Sequence, residues 1–253
     1  MSRVFRHWLL DLDGVVYVGD APLPGAPEAV ETLRRRGCRV RFLTNDPLPT
    51  RAAAAARLER YGIPAEAKDM VTSGWATART LRGRGLERVA VIGSDGLREE
   101  IAAAGLALVS DDSAEALVVG CDDGIGYADL RLGVRLLHRG AAFVATNADA
   151  VFPTPEGPAP ATGAIVAALR YASGREAEVI GKPSPAMFEA ALEGAPREAA
   201  VMVGDTPATD IAGARRAGIA AVLVAADGAS PGLPPELRPD RVVRGLAELL
   251  ADG

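Results

Sequence analysis

The sequence predicts an α/β protein built on a doubly wound parallel sheet. Short apolar runs alternate with Ala-rich amphipathic stretches along nearly the whole chain, which is typical of repeated βαβ units. The apolar runs are continuous, so helices should cover both faces of the sheet. The 253 residues are 49% hydrophobic and 24% charged, which are the proportions of a globular protein.

Each predicted strand is a β-type apolar run bounded by turn residues. In chain order the strands cover residues 4–10, 39–44, 89–92, 116–119, 142–145, 178–180, 200–203, 220–224 and 241–243. Helices with recognisable capping residues are expected at 27–36, 50–61 and 206–217. The Pro-rich segment 153–160 is expected to form a loop of restricted conformation.

Two polar, turn-forming stretches, residues 81–85 and 171–177, bracket a block of strands and helices. We interpret that block as an inserted second domain, residues 83–175. Residues 1–82 and 176–253 would then form the core domain.

Composition argues against several classes of function. The net charge of −5 provides no general attraction to nucleic acid. Cys38 and Cys121 form no CxxC motif, which argues against a zinc site and indicates a reducing compartment. The first residues do not follow a signal-peptide pattern, and the longest apolar run, 217–226, is shorter than the roughly 20 residues of a membrane span. We therefore expect a cytoplasmic protein that binds neither nucleic acid nor membranes.

Ligands of open α/β sheets bind beyond the carboxyl ends of the strands, so the residues that follow each strand matter most. Reactive groups follow four predicted strands: Asp11 and Asp13, then Thr44 and Asn45, then Lys182, then Asp205 and Asp210. Asp11 and Asp13 are two residues apart, and an extended chain would point both side chains to the same side. Their mutual repulsion requires compensation by a metal ion or a shared proton.

Lys182 is unusual in this chain because only two of the 28 basic residues are lysines. The other, Lys68, has the setting of a surface residue. A compact ammonium suits a phosphate oxygen in a crowded site better than a guanidinium does. A phosphate-binding Walker A loop is excluded because Pro183 occupies the position that needs Ser or Thr.

The four strand ends together predict an acidic pocket. Its four aspartates and one lysine carry a charge of about −3, so an anion would not enter unaided. Mg²⁺, which prefers oxygen ligands and often bridges carboxylates to a phosphate, would resolve this conflict. A carboxylate nucleophile, Mg²⁺, a lysine and a hydroxyl form a combination that favours phosphoryl transfer.

Four ordered motifs resemble those of the haloacid dehalogenase (HAD) superfamily. They are DLDGVVY at 11–17, Thr44–Asn45, GKPSP at 181–185 and GDTPATDI at 204–211. PLPGA at 22–26, ATNAD at 145–149 and the long insert are similar to the class IIA branch, which contains NagD-like and p-nitrophenylphosphatase-type enzymes. The resemblance implies a Rossmann-like core, the HAD fold, with an α/β cap of the second type.

The resemblance also implies a role for each matching residue. Asp11 would attack phosphorus to form an aspartyl-phosphate, and Asp13 would serve as general acid and base. Thr44 and the Asn45 amide would hold phosphate oxygens, and Lys182 would offset their charge. Mg²⁺ would be bound by Asp11, the Asp13 carbonyl and Asp205, and Asp210 would act through these groups rather than on the metal directly. Asn147 and Asp149 follow a strand of the insert and could face the substrate.

The leading hypothesis is a Mg²⁺-dependent phosphatase of a small phosphorylated metabolite. Candidate substrates are glycerol phosphate, phosphoglycolate, a sugar or nucleoside monophosphate, pyridoxal phosphate and p-nitrophenyl phosphate. Two alternatives are a signalling switch phosphorylated on aspartate and a noncatalytic protein that binds a phosphorylated metabolite. A switch domain needs about half this length and no acid at Asp13, and pure binding needs no nucleophile. A homodimer is possible.

Overall fold

A computed structural model describes residues 5–154, 156–228 and 232–250. The chain divides into two compact units. Unit 1 contains Met1–Thr44, Ala52–Val71 and Lys182–Gly253, and unit 2 contains Asn45–Arg51 and Thr72–Gly181.

Unit 1 is built on a six-stranded sheet with the order β15-β14-β13-β1-β4-β5. Its strands are β1 (His7–Asp11), β4 (Arg39–Thr44), β5 (Met70–Thr72), β13 (Ala200–Gly204), β14 (Ala220–Val224) and β15 (Arg241–Val243). The five strands from β15 to β4 run parallel. Every residue of β13 and β14 is buried, which confirms that both faces of the sheet are covered.

The helices of unit 1 are α1 (Ala26–Arg35), α2 (Arg51–Arg60), α7 (Pro185–Leu192) and α8 (Ala212–Ala217), and α2 begins one residue inside unit 2. A short antiparallel ribbon, β2 (Tyr17–Val18) and β3 (Ala21–Pro22), follows β1. The predicted helix 206–217 is divided: Pro207–Ile211 form a π-helical turn, and the α-helix begins only at Ala212. Such turns are frequent at functional sites.

Unit 2 contains a five-stranded parallel sheet with the order β12-β9-β8-β6-β7. Its strands are β6 (Arg88–Ile92), β7 (Ala107–Leu108), β8 (Ala116–Val119), β9 (Ala142–Ala145) and β12 (Glu178–Val179). Its helices are α3 (Ser73–Gly83), α4 (Asp95–Ala103), α5 (Tyr127–His138) and α6 (Thr162–Ser173). The predicted domain ends at 82/83 and 175/176 both lie inside this unit, because α3 packs against α4 and β12 pairs with β9.

The expectation of a loop at 153–160 was wrong. Val151–Thr154 and Gly157–Pro160 form an antiparallel pair, β10 and β11. Three prolines fit because a two-stranded ribbon has only edge strands, where a missing N–H donor is tolerated. The short strands β2, β3, β5 and β7 were not predicted either.

Among the residues that the structure describes, none of the helices combines the length and the apolar character needed to cross a membrane.

Candidate active site

The register of the sheet in unit 1 brings three predicted site residues to one edge. β1 lies between β13 and β4, with Leu10 opposite Val203 and Asp11 opposite Leu43. Thr44 follows Leu43, and Asp205 follows the last residue of β13. Because these strands are parallel, Asp11, Thr44 and Asp205 leave the sheet side by side, as their positions after the strands predicted.

Lys182 joins two buried carboxylates. Its Nζ donates to Asp11 Oδ1 at 2.6 Å and to Asp210 Oδ1 at 2.7 Å. The side chains of Lys182, Asp11 and Asp210 are only 3%, 11% and 0% exposed, respectively. A buried charge is tolerated when it is paired and hydrogen-bonded, and this lysine serves two carboxylates at once.

The π-helical turn determines the position of Asp210. Its Oδ2 accepts a hydrogen bond from the Thr206 backbone N–H at 3.0 Å, while its Oδ1 accepts from Lys182. Gly204 makes room for this arrangement, because a Cβ on that residue would overlap the Asp210 side chain. Asp210 is thereby held beside the end of β13.

Two carboxylates and one lysine leave this group with one excess negative charge. Burial, followed by the charge of Asp210, raises the pKa of Asp11 to about 8, although Lys182 acts in the opposite direction. Burial alone would lower the pKa of Lys182, but its attraction to Asp11 and Asp210 outweighs this and raises it. Lys182 therefore stays charged, and the excess negative charge of the site raises the pKa of the carboxylates instead.

Asp205 completes a set of groups that suits a divalent cation. One carboxylate oxygen from each of Asp11, Asp205 and Asp210 lies within 4.8 Å of the others. Burial, followed by the charge of Asp210, raises the pKa of Asp205. Clustered carboxylate oxygens whose charge is incompletely neutralised are the donors that Mg²⁺ prefers, so the residues present fit this ion.

Asp13 lies in a different environment from Asp11. β1 ends at Asp11, and the chain turns so that Leu12 O accepts from the N–H groups of Val16 at 2.8 Å and Tyr17 at 3.1 Å. Asp13 is exposed, whereas Asp11 is buried. Since β1 ends at Asp11, the extended geometry expected to point both side chains to one side does not reach residue 13. Among the described residues, the carboxylate cluster does not include Asp13.

Of the other predicted residues, Thr44 is buried at the end of β4 in unit 1. Asn45, Asn147 and Asp149 lie in unit 2. Asn45 Nδ2 donates to Asp149 Oδ2 at 3.2 Å, and Asn147 Nδ2 donates to Asn45 O at 2.8 Å. Asn147 Oδ1 also accepts from the Asp149 N–H at 3.1 Å. Asn147 is 3% exposed with both polar atoms of its side chain bonded, so it offers little surface to a substrate.

Two residues of these groups, Gly14 and Ser73, were not predicted as site residues. Gly14 lies against Asp205, and a Cβ there would overlap that carboxylate. The sequence indicated this residue only by its place directly after Asp13 in the run Asp-Leu-Asp-Gly. Ser73 Oγ donates to Asn45 O at 2.7 Å. No sequence pattern indicates Ser73, because its partner is distant in the chain.

Comparisons with known proteins agree with this arrangement. The family described as haloacid dehalogenase-like hydrolase matches residues 8–107, and a second HAD-like hydrolase family matches residues 179–249. The D-glycerol 3-phosphate phosphatase of Mycobacterium tuberculosis is 37% identical over 220 residues, which cover 85% of this chain. The chain spans 62% of the length of that relative. The 5'-nucleotidase YutF of Bacillus subtilis is 34% identical over 225 residues, covering 88% of each protein.

Solved structures show the same similarity. The glycerol phosphate phosphatase of Mycobacterium tuberculosis, in complex with magnesium, superimposes with a TM-score of 0.89 and 34% identity, over 97% of this chain and 76% of that chain. NagD from E. coli K-12 also gives a TM-score of 0.89, with 30% identity over 97% of this chain and 98% of that chain. The chain therefore belongs to the haloacid dehalogenase-like hydrolases, within the NagD-like phosphatases of class IIA.

Proposed function

We propose that the protein is a Mg²⁺-dependent phosphatase that hydrolyses a small phosphomonoester through an aspartyl-phosphate on Asp11. The observation that carries this proposal is the buried Lys182, which bonds both Asp11 and Asp210 beside the Asp205 carboxylate. Relatives named as phosphatases and as a 5'-nucleotidase support the reaction class.

In the first step, an Asp11 carboxylate oxygen forms a bond to phosphorus while the bond from phosphorus to the ester oxygen breaks. Asp13 gives its proton to the departing oxygen, so the alcohol leaves neutral. In the second step, Asp13 takes a proton from water, whose oxygen attacks phosphorus and releases Asp11. The exposure of Asp13 suits this role, since the group must exchange its proton with leaving group and water.

Lys182 would hold Asp11 in one orientation, because its ammonium donates to the Oδ1 oxygen of that carboxylate. It also offsets the negative charge that accumulates when a phosphate approaches two aspartates. The Thr44 hydroxyl and the Asn45 amide, which follow β4, would bind phosphate oxygens.

Asp11, Asp205 and the Asp13 carbonyl would hold Mg²⁺, and Asp210 would orient Lys182 and the end of β13. When bound, Mg²⁺ supplies positive charge that neutralises the phosphate and the carboxylates.

The candidate substrates are glycerol phosphate, phosphoglycolate, a sugar or nucleoside monophosphate, pyridoxal phosphate and the artificial nitrophenyl ester. We favour glycerol phosphate, because relatives named for this activity are similar over most of the chain. Unit 2 would act as the cap that selects the leaving group. A cytoplasmic location, a homodimer and the lack of nucleic-acid binding stay predictions.

Phosphate release from a panel of these esters tests the proposal. Mg²⁺-dependent turnover that Asp11→Asn abolishes, and that the exposed control Asp123→Asn leaves unchanged, would support it. Stable phosphorylation of Asp11 without turnover would favour the signalling switch. Saturable binding of an ester without phosphorylation would favour the noncatalytic protein.

A further inference from the structure

Asn45 is held at three points by neighbours within unit 2. Its carbonyl oxygen accepts from Ser73 Oγ at 2.7 Å and from Asn147 Nδ2 at 2.8 Å, which uses both lone pairs. Its side-chain amide donates to the Asp149 carboxylate at 3.2 Å. These bonds restrict rotation about the backbone of residue 45, and therefore the direction of its own N–H.

The residue before Asn147 holds a second segment in the same way. Thr146 O accepts from the Gly181 N–H at 2.8 Å. A Cβ on Gly181 would overlap Thr146 O and lie 2.8 Å from Asn45 Oδ1 and 3.3 Å from the Asn147 Cβ. The fit is so close that residue 181 must be glycine if Asn45 and Thr146 are to keep their places.

Both held residues are covalent neighbours of proposed active-site groups. Asn45 follows Thr44, and Gly181 precedes Lys182. The chain also passes between the two units at these two peptide bonds. Ser73, whose side chain is fully buried, lies just beyond another such passage, at residues 71–72.

We propose that Ser73, Asn147 and Asp149 are positioning residues, which set the direction of the Asn45 backbone N–H without touching substrate. The Thr146 carbonyl, next to Asn147, fixes the chain at Gly181, directly before Lys182. This inference rests on the proposed phosphatase function. It assigns Asn147 and Asp149 a role different from the substrate contact expected from their motif. The physical basis is preorganisation, since a group aimed at the transferring phosphate needs no reorientation during reaction.

Asn147→Asp is the sharpest test. The new carboxylate keeps an acceptor for the Asp149 N–H but turns an oxygen, instead of a donor, toward the Asn45 carbonyl. We expect kcat to fall about ten- to hundredfold, the effect of a displacement of about 1 Å. Inhibition by orthovanadate, which mimics the transferring phosphoryl group, should weaken by a similar factor. The Mg²⁺ concentration for half-maximal activity should not change, because the carboxylate cluster is in unit 1.

Ser73→Ala provides a second variant, with a smaller expected loss in the same two quantities. Its matched control is Thr80→Val on the same helix, which removes a hydroxyl that donates to Ala76 O in the preceding turn. The control should resemble the wild-type protein in kcat and in vanadate inhibition. A purely structural role would lower the melting temperature and leave the kcat of the folded fraction unchanged.

Wild-type kcat and vanadate inhibition in both Asn147→Asp and Ser73→Ala would overturn the inference and leave the phosphatase function intact. If Asn147→Asp does not fold, Ser73→Ala decides alone by the same criterion. A wild-type protein that hydrolyses no phosphomonoester would overturn the proposed function, and the inference with it.

Discussion

The Asp205 carboxylate lies directly against Gly14 and fills the space that a Cβ atom on residue 14 would occupy. The φ of Gly14, +76°, belongs to the left-handed region, which glycine adopts without steric cost. The turn after β1 and the acidic end of β13 are therefore packed together within unit 1. This relationship makes Asp205, a proposed ligand of Mg²⁺, sensitive to a substitution that removes no functional group.

Gly14→Ala should weaken Mg²⁺ binding by displacing Asp205. The matched control is Gly19→Ala, where φ is also positive, at +56°, but no atom lies within 4 Å of the new Cβ. Both variants pay a backbone cost of about 1–2 kcal/mol, so only Gly14→Ala should lose Mg²⁺ affinity. Isothermal titration with Mg²⁺ measures the difference, and equal affinities in the two variants would contradict the role of this contact.

Lys182→Met should destabilise the protein by about 3–5 kcal/mol, the cost of leaving a buried charge without its partner. Two carboxylates, Asp11 and Asp210, would lose their common donor. The double variant Lys182→Met/Asp210→Asn should recover part of this loss, because one of the two charges is gone. Urea unfolding of both variants in EDTA measures the free energies. Equal destabilisation of the single and double variants would be inconsistent with a buried charge as the cause.

Asp11 should make the stability of the metal-free protein depend on pH. Its pKa is about 8 in the folded protein and 3.8 without the surrounding structure, so the folded state binds the extra proton between these values. The resulting stability is complete below pH 3.8 and is lost as pH rises through about 8. We expect a decrease of about 1.4 kcal/mol per pH unit at most.

Urea unfolding from pH 5 to 8.5 checks this expectation against Asp11→Asn, which carries no titratable group at the position. The stability of the wild-type protein minus that of the variant should fall across this range. Saturating Mg²⁺ should flatten the difference, since a bound cation favours the ionised carboxylate. A constant difference in EDTA would show that the pKa of Asp11 is not raised.

Asp13→Asn should separate the chemistry of the leaving group from metal binding. Because Asp13 is exposed and its carboxylate lies outside the described acidic cluster, Mg²⁺ affinity and melting temperature should stay near the wild-type values. General acid catalysis contributes about 10²–10⁴-fold, so hydrolysis of glycerol phosphate should fall by that factor. The first turnover of p-nitrophenyl phosphate should fall much less, since nitrophenolate leaves without a proton.

A single-turnover burst of nitrophenolate followed by slow release of phosphate is the expected record, because the variant also lacks the base for the second step. An equal loss for both esters in the first turnover would argue against Asp13 as the general acid.

The order of the longer strands along the chain and the four groups of reactive residues at strand ends could be predicted from the sequence, because both are local patterns. Apolar runs of three or more residues identified most of the strands in the two large sheets, and the reactive groups lie at or just beyond the ends of these strands. The pairing of β10 with β11 and the short strands β2, β3, β5 and β7 were missed. Such short elements are stabilised by residues that are near in space but distant in the chain, and a local sequence pattern does not reveal those residues.

The sequence by itself determined the α/β class, the acidic character of the site and the identity of its lysine. Only the tertiary structure decided which groups meet: Lys182 between Asp11 and Asp210, Asp205 against Gly14, and Asn147 on the Asn45 carbonyl. These contacts join residues that are far apart in the chain, and they depend on register and on the π-helical turn at Asp210. Distances of this kind arise from the packing of whole elements, so residue type and spacing could indicate the chemistry but not its arrangement.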